Sequence, residues 1–306
     1  MATTTSKTLK ELIEDTLSIL YRNSERPFQV TTGSNALTAD ATDTTCTLGS
    51  GASSVSATDI LENGQELMLV TAKSSDATPV FTVARAYANT NVEASSTADT
   101  LLINPSFARR DISVYIQRCF KSLMNTHLPA ISSGSYTRTS KKQYIEMPAT
   151  TVRILSVRHM VTSTGRIVDV GGWQFEEDLP TGVISTGKAL RLPSTVDDDD
   201  SMIVTYQAPY AWSDTTPVET STISIPTGAE DIPALWAAAY AVSRREVTRG
   251  DLDKIEEWNQ EAAMRQGVNL RWARELWGEV YRRVDDAKRL QYVPKYRTFR
   301  KIPHIL

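Results

Sequence analysis

The chain has 306 residues, 41% hydrophobic and 23% charged, with a formal net charge of -3. This composition excludes collagen-like, wholly disordered and disulfide-built chains, and the near-neutral charge gives no global drive towards nucleic acid or an anionic membrane. The length fits about two domains with a sizeable core. Cys46 and Cys119 lie far apart in the sequence and read as reduced, buried small hydrophobes, as in an intracellular protein. No apolar run approaches the roughly 18 residues of a membrane span. Glu11, Glu14 and Asp15 interrupt the N-terminal apolar residues, which a secretory signal would not tolerate.

Residues 6–23 have helical period, with Leu9, Leu12, Ile13, Leu17 and Leu20 on one face. Thr8 and Glu11 stand at capping-box spacing and Pro27 ends the pattern. Residues 28–104 change character: Thr, Ser, Ala, Asp and Val dominate and Lys and Arg nearly vanish. Alternating runs at 44–48, 66–72 and 79–87, separated by turn clusters, predict a small antiparallel β-unit. Helical period returns at 107–126, where Ile112, Ile116, Cys119, Phe120 and Leu123 form a stripe. Because the two ends of an antiparallel unit lie side by side, 28–104 is expected as an insertion between two packed helices.

Residues 134–226 hold candidate strands at 142–147, 152–162, 166–170, 189–193 and 201–209. Their roughly ten-residue spacing suggests a sandwich or barrel. Thr227 and Glu230 again have capping-box spacing, followed by Ile232, Leu235, Trp236, Ala239 and Val242 at core spacing. Gly250 and Gly267 punctuate the helical C-terminal part. A last helix over 268–290 carries Ala273, Leu276, Trp277, Val280, Val284 and Ala287 on one face. The expected fold is therefore α+β. A helical bundle (1–27, 105–133 and 227–290) carries an inserted small β-domain (28–104), beside a β-sandwich or barrel-like domain (134–226). An extended tail (291–306) completes the chain.

Motifs for chemistry are absent from the sequence. His127, His159 and His304 have no metal-ligand spacing, and there is no Walker loop, dinucleotide fingerprint or nucleophile elbow. No cofactor is expected, and catalysis is not. The acid run Asp197–Asp200 could hold a cation, but side chains of adjacent residues diverge in extended backbone, so it reads as a solvated turn. Glu176, Glu177 and Asp178 form a second acidic cluster with nothing to single out a donor and a base. Trp258 and Trp272 fall off the helical stripes and read either as anchors at a subunit contact or as surface rings on their own domain.

The tail carries the strongest local signal. Lys295, Arg297, Arg300 and Lys301 interleave with Tyr292, Tyr296, Phe299, Ile302 and Ile305, no acid is present, and Pro294 and Pro303 oppose helix. A basic-aromatic segment without a core of its own is expected to lie on something else. With no matching basic field elsewhere, a protein partner ranks above single-stranded nucleic acid.

Three local motifs and the order of parts resemble the head-to-tail connector (adaptor or neck) proteins of tailed bacteriophages. The motifs are Gly64-Gln65-Glu66-Leu67-Met68, the run Thr82-Val83-Ala84-Arg85-Ala86-Tyr87, and Asn104-Pro105 leading into a helix. Where the family carries Gly after that Arg, this chain has Ala86. The runs 204–210 and 225–246 and a final helix with a short tail complete the likeness. The resemblance implies a non-catalytic virion protein forming a ring of about twelve copies below the portal protein, assembled in the bacterial cytoplasm. DNA passes through without being read. The implied partners are the portal, neighbouring copies, the next neck or tail protein (a stopper, tail terminator or tail hub) and, through 28–104, the capsid; no membrane is involved. Tyr292, Tyr296, Arg297, Phe299, Arg300, Lys301 and Ile302 are the implied portal-docking residues. The alternatives are a tail-completion or baseplate-type protein and, further off, a carbohydrate-binding module.

Overall fold

A computed structural model describes residues 4–22, 27–34, 37–76, 79–96, 99–137, 143–161, 166–193, 201–213, 219–253 and 260–291. In chain order, β1 (Thr4–Thr8) leads directly into α1 (Leu9–Leu20). Then come β2 (Phe28–Thr31), β3 (Thr45–Thr47), β4 (Ile60–Asn63), β5 (Glu66–Lys73), β6 (Val80–Ala84) and β7 (Thr100–Ile103). Helix α2 (Arg109–Cys119) continues through a π-turn (Phe120–Met124) into the short α3 (Asn125–His127). The second β-run is β8 (Ala130–Thr137), β9 (Tyr144–Glu146), β10 (Arg153–Val161), β11 (Arg166–Asp169), β12 (Gln174–Glu176), β13 (Ala189–Arg191), β14 (Ser201–Ala208) and β15 (Thr222–Pro226). Helices α4 (Ile232–Asp253) and α5 (Gln260–Gln291) follow.

The expectation of a helical bundle carrying a small inserted β-domain (28–104) and a sandwich or barrel-like domain (134–226) is overturned. Among the described residues the elements are mostly strands, fifteen of them in four antiparallel sheets, and only 32% is helical. Strands β1, β2, β4, β7, β8, β12 and β15 lie outside the candidate runs and supply the excess. In β4, Leu61, Glu62 and Asn63 are all buried, so apolar and polar positions do not alternate. In β8, Ser and Gly hold half the positions. The Thr-rich β1 reads as the start of a helix but pairs with β15 along its whole length.

By Cα proximity the chain divides into two compact units. One comprises Leu9–Gln117 and Asp231–Val280. Its six-stranded sheet has the order β2-β7-β4-β5-β6-β3. The two outer strands of that order meet: Thr32 bridges Leu48, the Gly33 amide donates to the Thr47 carbonyl at 2.8 Å, and the Gly49 amide to the Thr31 carbonyl at 2.7 Å. The sheet is thus closed into a barrel, which leaves no free strand edge. Val30, Leu61, Met68, Val70, Phe81, Val83, Leu101 and Ile103 fill its interior. In the same unit α1 packs along α4. Tyr115 of α2 lies against Tyr240 (centroids 4.9 Å apart), and Trp236 meets Trp277 edge-on at 4.7 Å. Leu9, Leu12, Ile13, Ile112, Ile116, Leu276 and Val280 are buried as their stripes require, whereas Leu235 and Trp236 are half-buried. Helix α4 runs past Gly250, and α5 starts at Gln260 and includes Gly267. An interior glycine costs about 1 kcal/mol, which long helices absorb.

The other unit comprises Met1–Thr8, Arg118–Glu230 and Tyr281–Leu306. Its four-stranded sheet, β11-β10-β14-β8, faces the three-stranded β12-β13-β9 across a shared core of Ile145, Met147, Ile154, Val157, Leu190, Met202 and Val204. Phe120, in the π-turn, is fully buried against Tyr210 (5.1 Å) and Trp212 (5.5 Å). The Tyr210 amide donates to Asn125 Oδ1 at 2.8 Å, and its hydroxyl to the Leu128 carbonyl at 2.8 Å.

Candidate functional site

The three motifs quoted above converge on the barrel and its junction with α2. Glu66 opens β5 and Arg85 follows β6, so a β-hairpin brings the two side chains to one end of the barrel. Arg85 grips Glu66 with two contacts, Nε to Oε1 and Nη2 to Oε2, each 2.8 Å. The side chains are 2% and 0% exposed. A buried pair of this kind is tolerable only when its remaining donors and acceptors are also satisfied. Here they are. The Arg85 Nη atoms donate to the carbonyls of Thr38, Asp43 and Glu93 at 2.8–3.1 Å, and Glu66 accepts from the backbone amides of Ala86 (3.0 Å) and Glu93 (2.8 Å). One ion pair thus fastens two loops, around 38–43 and around 93, to the strands.

Ala86 has φ +53°, in the left-handed region. Glycine adopts this conformation freely, whereas a Cβ there costs roughly 1 kcal/mol. Asn104 also has φ +47°. Its Oδ1 accepts from the Ile60 amide and its Nδ2 donates to Asp59 Oδ1, both at 2.8 Å, so a short amide side chain ties the end of β7 to the start of β4. Glu62, buried in β4, accepts from the Arg109 amide at 2.6 Å. It places a carboxylate on the first turn of α2, where orphan amides and the helix dipole favour negative charge. Ser113 donates to Gln65 Oε1 at 3.1 Å, and Arg110 to the Ala88 carbonyl at 2.5 Å. Sequence reasoning quoted Gln65, Glu66 and Arg85 without finding their partnership. Glu62 was missed, and its only signal was a carboxylate at a position where a strand interior expects an apolar residue.

The seven residues expected to dock on a partner, Tyr292, Tyr296, Arg297, Phe299, Arg300, Lys301 and Ile302, lie outside the described residues, as do Asp197–Asp200 and Trp258. The cluster at 176–178 is described and is divided between partners: Glu176 faces Arg191 at 3.8 Å and Glu177 faces Lys188 at 3.3 Å. Trp272 is half-buried. Among the described residues no three His, Cys, Asp or Glu side chains stand together as a metal site. No helix among them is long and apolar enough to cross a membrane.

Both thiols are shielded. Burial pushes the Cys46 thiol up to about 11, and burial likewise pushes Cys119 far up. Burial, with Tyr206 beside it, pushes the Tyr136 hydroxyl up to about 12. Partial burial works against Glu230, but hydrogen bonds from its own amide, the Thr5 hydroxyl and the Gly228 amide outweigh it and hold this carboxyl below its ordinary value. The arrangement is that of a mechanical fastening: it orders loops and seats a helix, and presents no nucleophile or acid–base pair to solvent. Comparison with protein-family models and with curated proteins yields no match.

Proposed function

We propose that the chain is a structural ring protein of a phage neck, seated between the portal and the tail. One observation carries the reading. Two of the three motifs that resemble connector proteins form one fastening, with Glu66 of the first bound to Arg85 of the second, while Asn104 of the third ties the end of β7 to Asp59 and Ile60 at the start of β4. Motifs brought together in space are better support than three separate likenesses. In this reading about twelve copies close a ring, which a heterologous interface requires. The 291–306 tail docks on the portal, with Tyr292, Tyr296, Phe299 and Ile302 as apolar anchors and Arg297, Arg300 and Lys301 meeting acidic groups. Neighbouring copies and a downstream stopper, tail terminator or tail hub complete the contacts, and 28–104 offers a surface to the capsid. DNA passes without sequence recognition, and the protein acts by assembly, not catalysis.

The test is mass measurement of the purified chain with and without portal particles. The reading expects a ring-sized species that adds to portals. A monomer that ignores portals and binds a sugar tightly would overturn it. The predominance of sheet favours a second reading, a tail-completion or baseplate-type protein assembling through its β-surfaces. That reading expects binding to tail tubes and none to portals.

A further inference from the structure

The four-stranded sheet ends in a strand that nature normally protects. β8 pairs with β14 along its whole length, Ala130 to Ala208 through Thr137 to Ser201, without a bulge. On its other side no strand pairs with it among the described residues. Its eight residues, AISSGSYT, contain no charge and no proline. Sheets usually blunt such an edge with Lys, Pro, a bulge or a short strand, because its row of open amides and carbonyls is a template for another chain. Here all four devices are missing. The barrel of the other unit avoids the problem by closure; this sheet does not. An edge left this open is suited to β-augmentation by an extended segment.

We infer that β8 is the acceptor for this chain's own C-terminal segment, residues 295–302, which adds to it in cis as a fifth strand. Three observations select that occupant. First, the segment KYRTFRKI lies between Pro294 and Pro303 and holds eight residues with a free amide, the length of β8. Second, its alternation suits a sheet with one wet face. In a strand, Tyr296, Thr298, Arg300 and Ile302 would project one way and Lys295, Arg297, Phe299 and Lys301 the other, which puts three of the four cations on one face. Third, the tail starts close by. Leu290 at the end of α5 stands so near Gly228 that a Cβ built there would meet its Cδ1 at 2.9 Å. Gly228 stands two residues past the end of β15, and β15 lies against β8. The fifteen residues after Gln291 reach about 50 Å when extended, whereas β8 is ~26 Å long. The segment can therefore cover the whole edge. Ser133, Ser135 and Thr137 are exposed on the outer side of β8, and Tyr136 is half-buried beside the core. An added strand would pack one of its apolar anchors onto the Tyr136 ring.

This inference goes beyond the neck reading and does not depend on it, since it concerns the chain without any portal. The test is amide hydrogen exchange across 130–137, comparing the full chain, a chain ending at Gln291, and the full-length Phe299→Pro variant. Phe299→Pro removes one strand donor from the segment, and an unchanged melting temperature of the variant separates loss of pairing from loss of folding. Alternate amides of β8 should be protected about tenfold more in the full chain than in either variant. Equal protection in all three overturns the proposal. A Ser135→Cys, Arg297→Cys pair, which antiparallel pairing of the two segments end to end would bring face to face, should give an intrachain disulfide when oxidised at low concentration; covalent dimers instead would overturn pairing in cis.

Discussion

Ala86 is the residue whose replacement is easiest to forecast. It sits at φ +53° while its amide is held by Glu66, so the backbone cannot relax away. Ala86→Gly should raise stability by about 1 kcal/mol, read by urea unfolding, and Ala86→Val should lower it by more. A null result for Gly would mean that the turn itself adjusts. The Glu66–Arg85 pair gives a larger effect. Arg85→Met leaves Glu66 charged and dry and should cost roughly 3–5 kcal/mol, whereas changing both residues to apolar ones should cost less than either alone. Glu230 gives a pH signature. Its carboxyl is held below the ordinary 4.5, so its contribution is fully present above that value and is lost as the pH falls below it, through the lower value of the folded state. Glu230→Gln should therefore melt below the parent at neutral pH, with the gap closing on acidification; a constant gap refutes the assignment. Cys46 and Cys119 should resist alkylation at neutral pH until the protein is unfolded.

At the level of elements, the π-turn decides how one helix reaches its core. Phe120 begins it and is enclosed by Tyr210 and Trp212. Phe120→Ala should destabilise by about 3–5 kcal/mol. Trp236→Ala should do less, since that ring is half-buried and meets mainly Trp277. The contrast also measures what the sequence made legible. Helical stripes are long, and each repeats its signal every turn, so α1, α2 and the described part of α5 showed their buried faces in advance. Strong period-two runs such as ELMLVTA and SMIVTYQA were equally plain. What escaped were strands of three to five residues and strands whose side chains carry no contrast, such as β8 with its serines. Closure of the barrel through Thr32 and Leu48 has no local sequence mark, because it depends on where distant strands end. The Glu66–Arg85 contact likewise joins two residues nineteen apart, and only the hairpin between them brings them together. Glu62 at the start of α2 shows the same limit: a cap supplied from 47 residues away leaves no capping-box spacing to read.

For the whole molecule, the neck reading predicts containment of DNA without affinity for it. At physiological salt the purified chain should bind duplex weaker than about micromolar, since a duplex reader needs a basic stripe and this chain carries a net charge of -3. Tight, salt-sensitive duplex binding would count against it. Ending the chain at Gln291 should abolish capture by portal particles while leaving the number of subunits in the ring unchanged. Barrel geometry bears on how the chain is assembled from parts. Phe28 and Ile103 are direct cross-strand partners, so the barrel's two ends stand about 5 Å apart. A module joined at two adjacent points is a cassette: it can be lifted out, exchanged or displayed without stretching its host. Residues 27–104, expressed alone, should fold with native sheet content. In the host, a two-residue turn in their place should cost α2 only the Glu62 cap and the few hydrogen bonds that β4, Gln65 and Ala88 lend it.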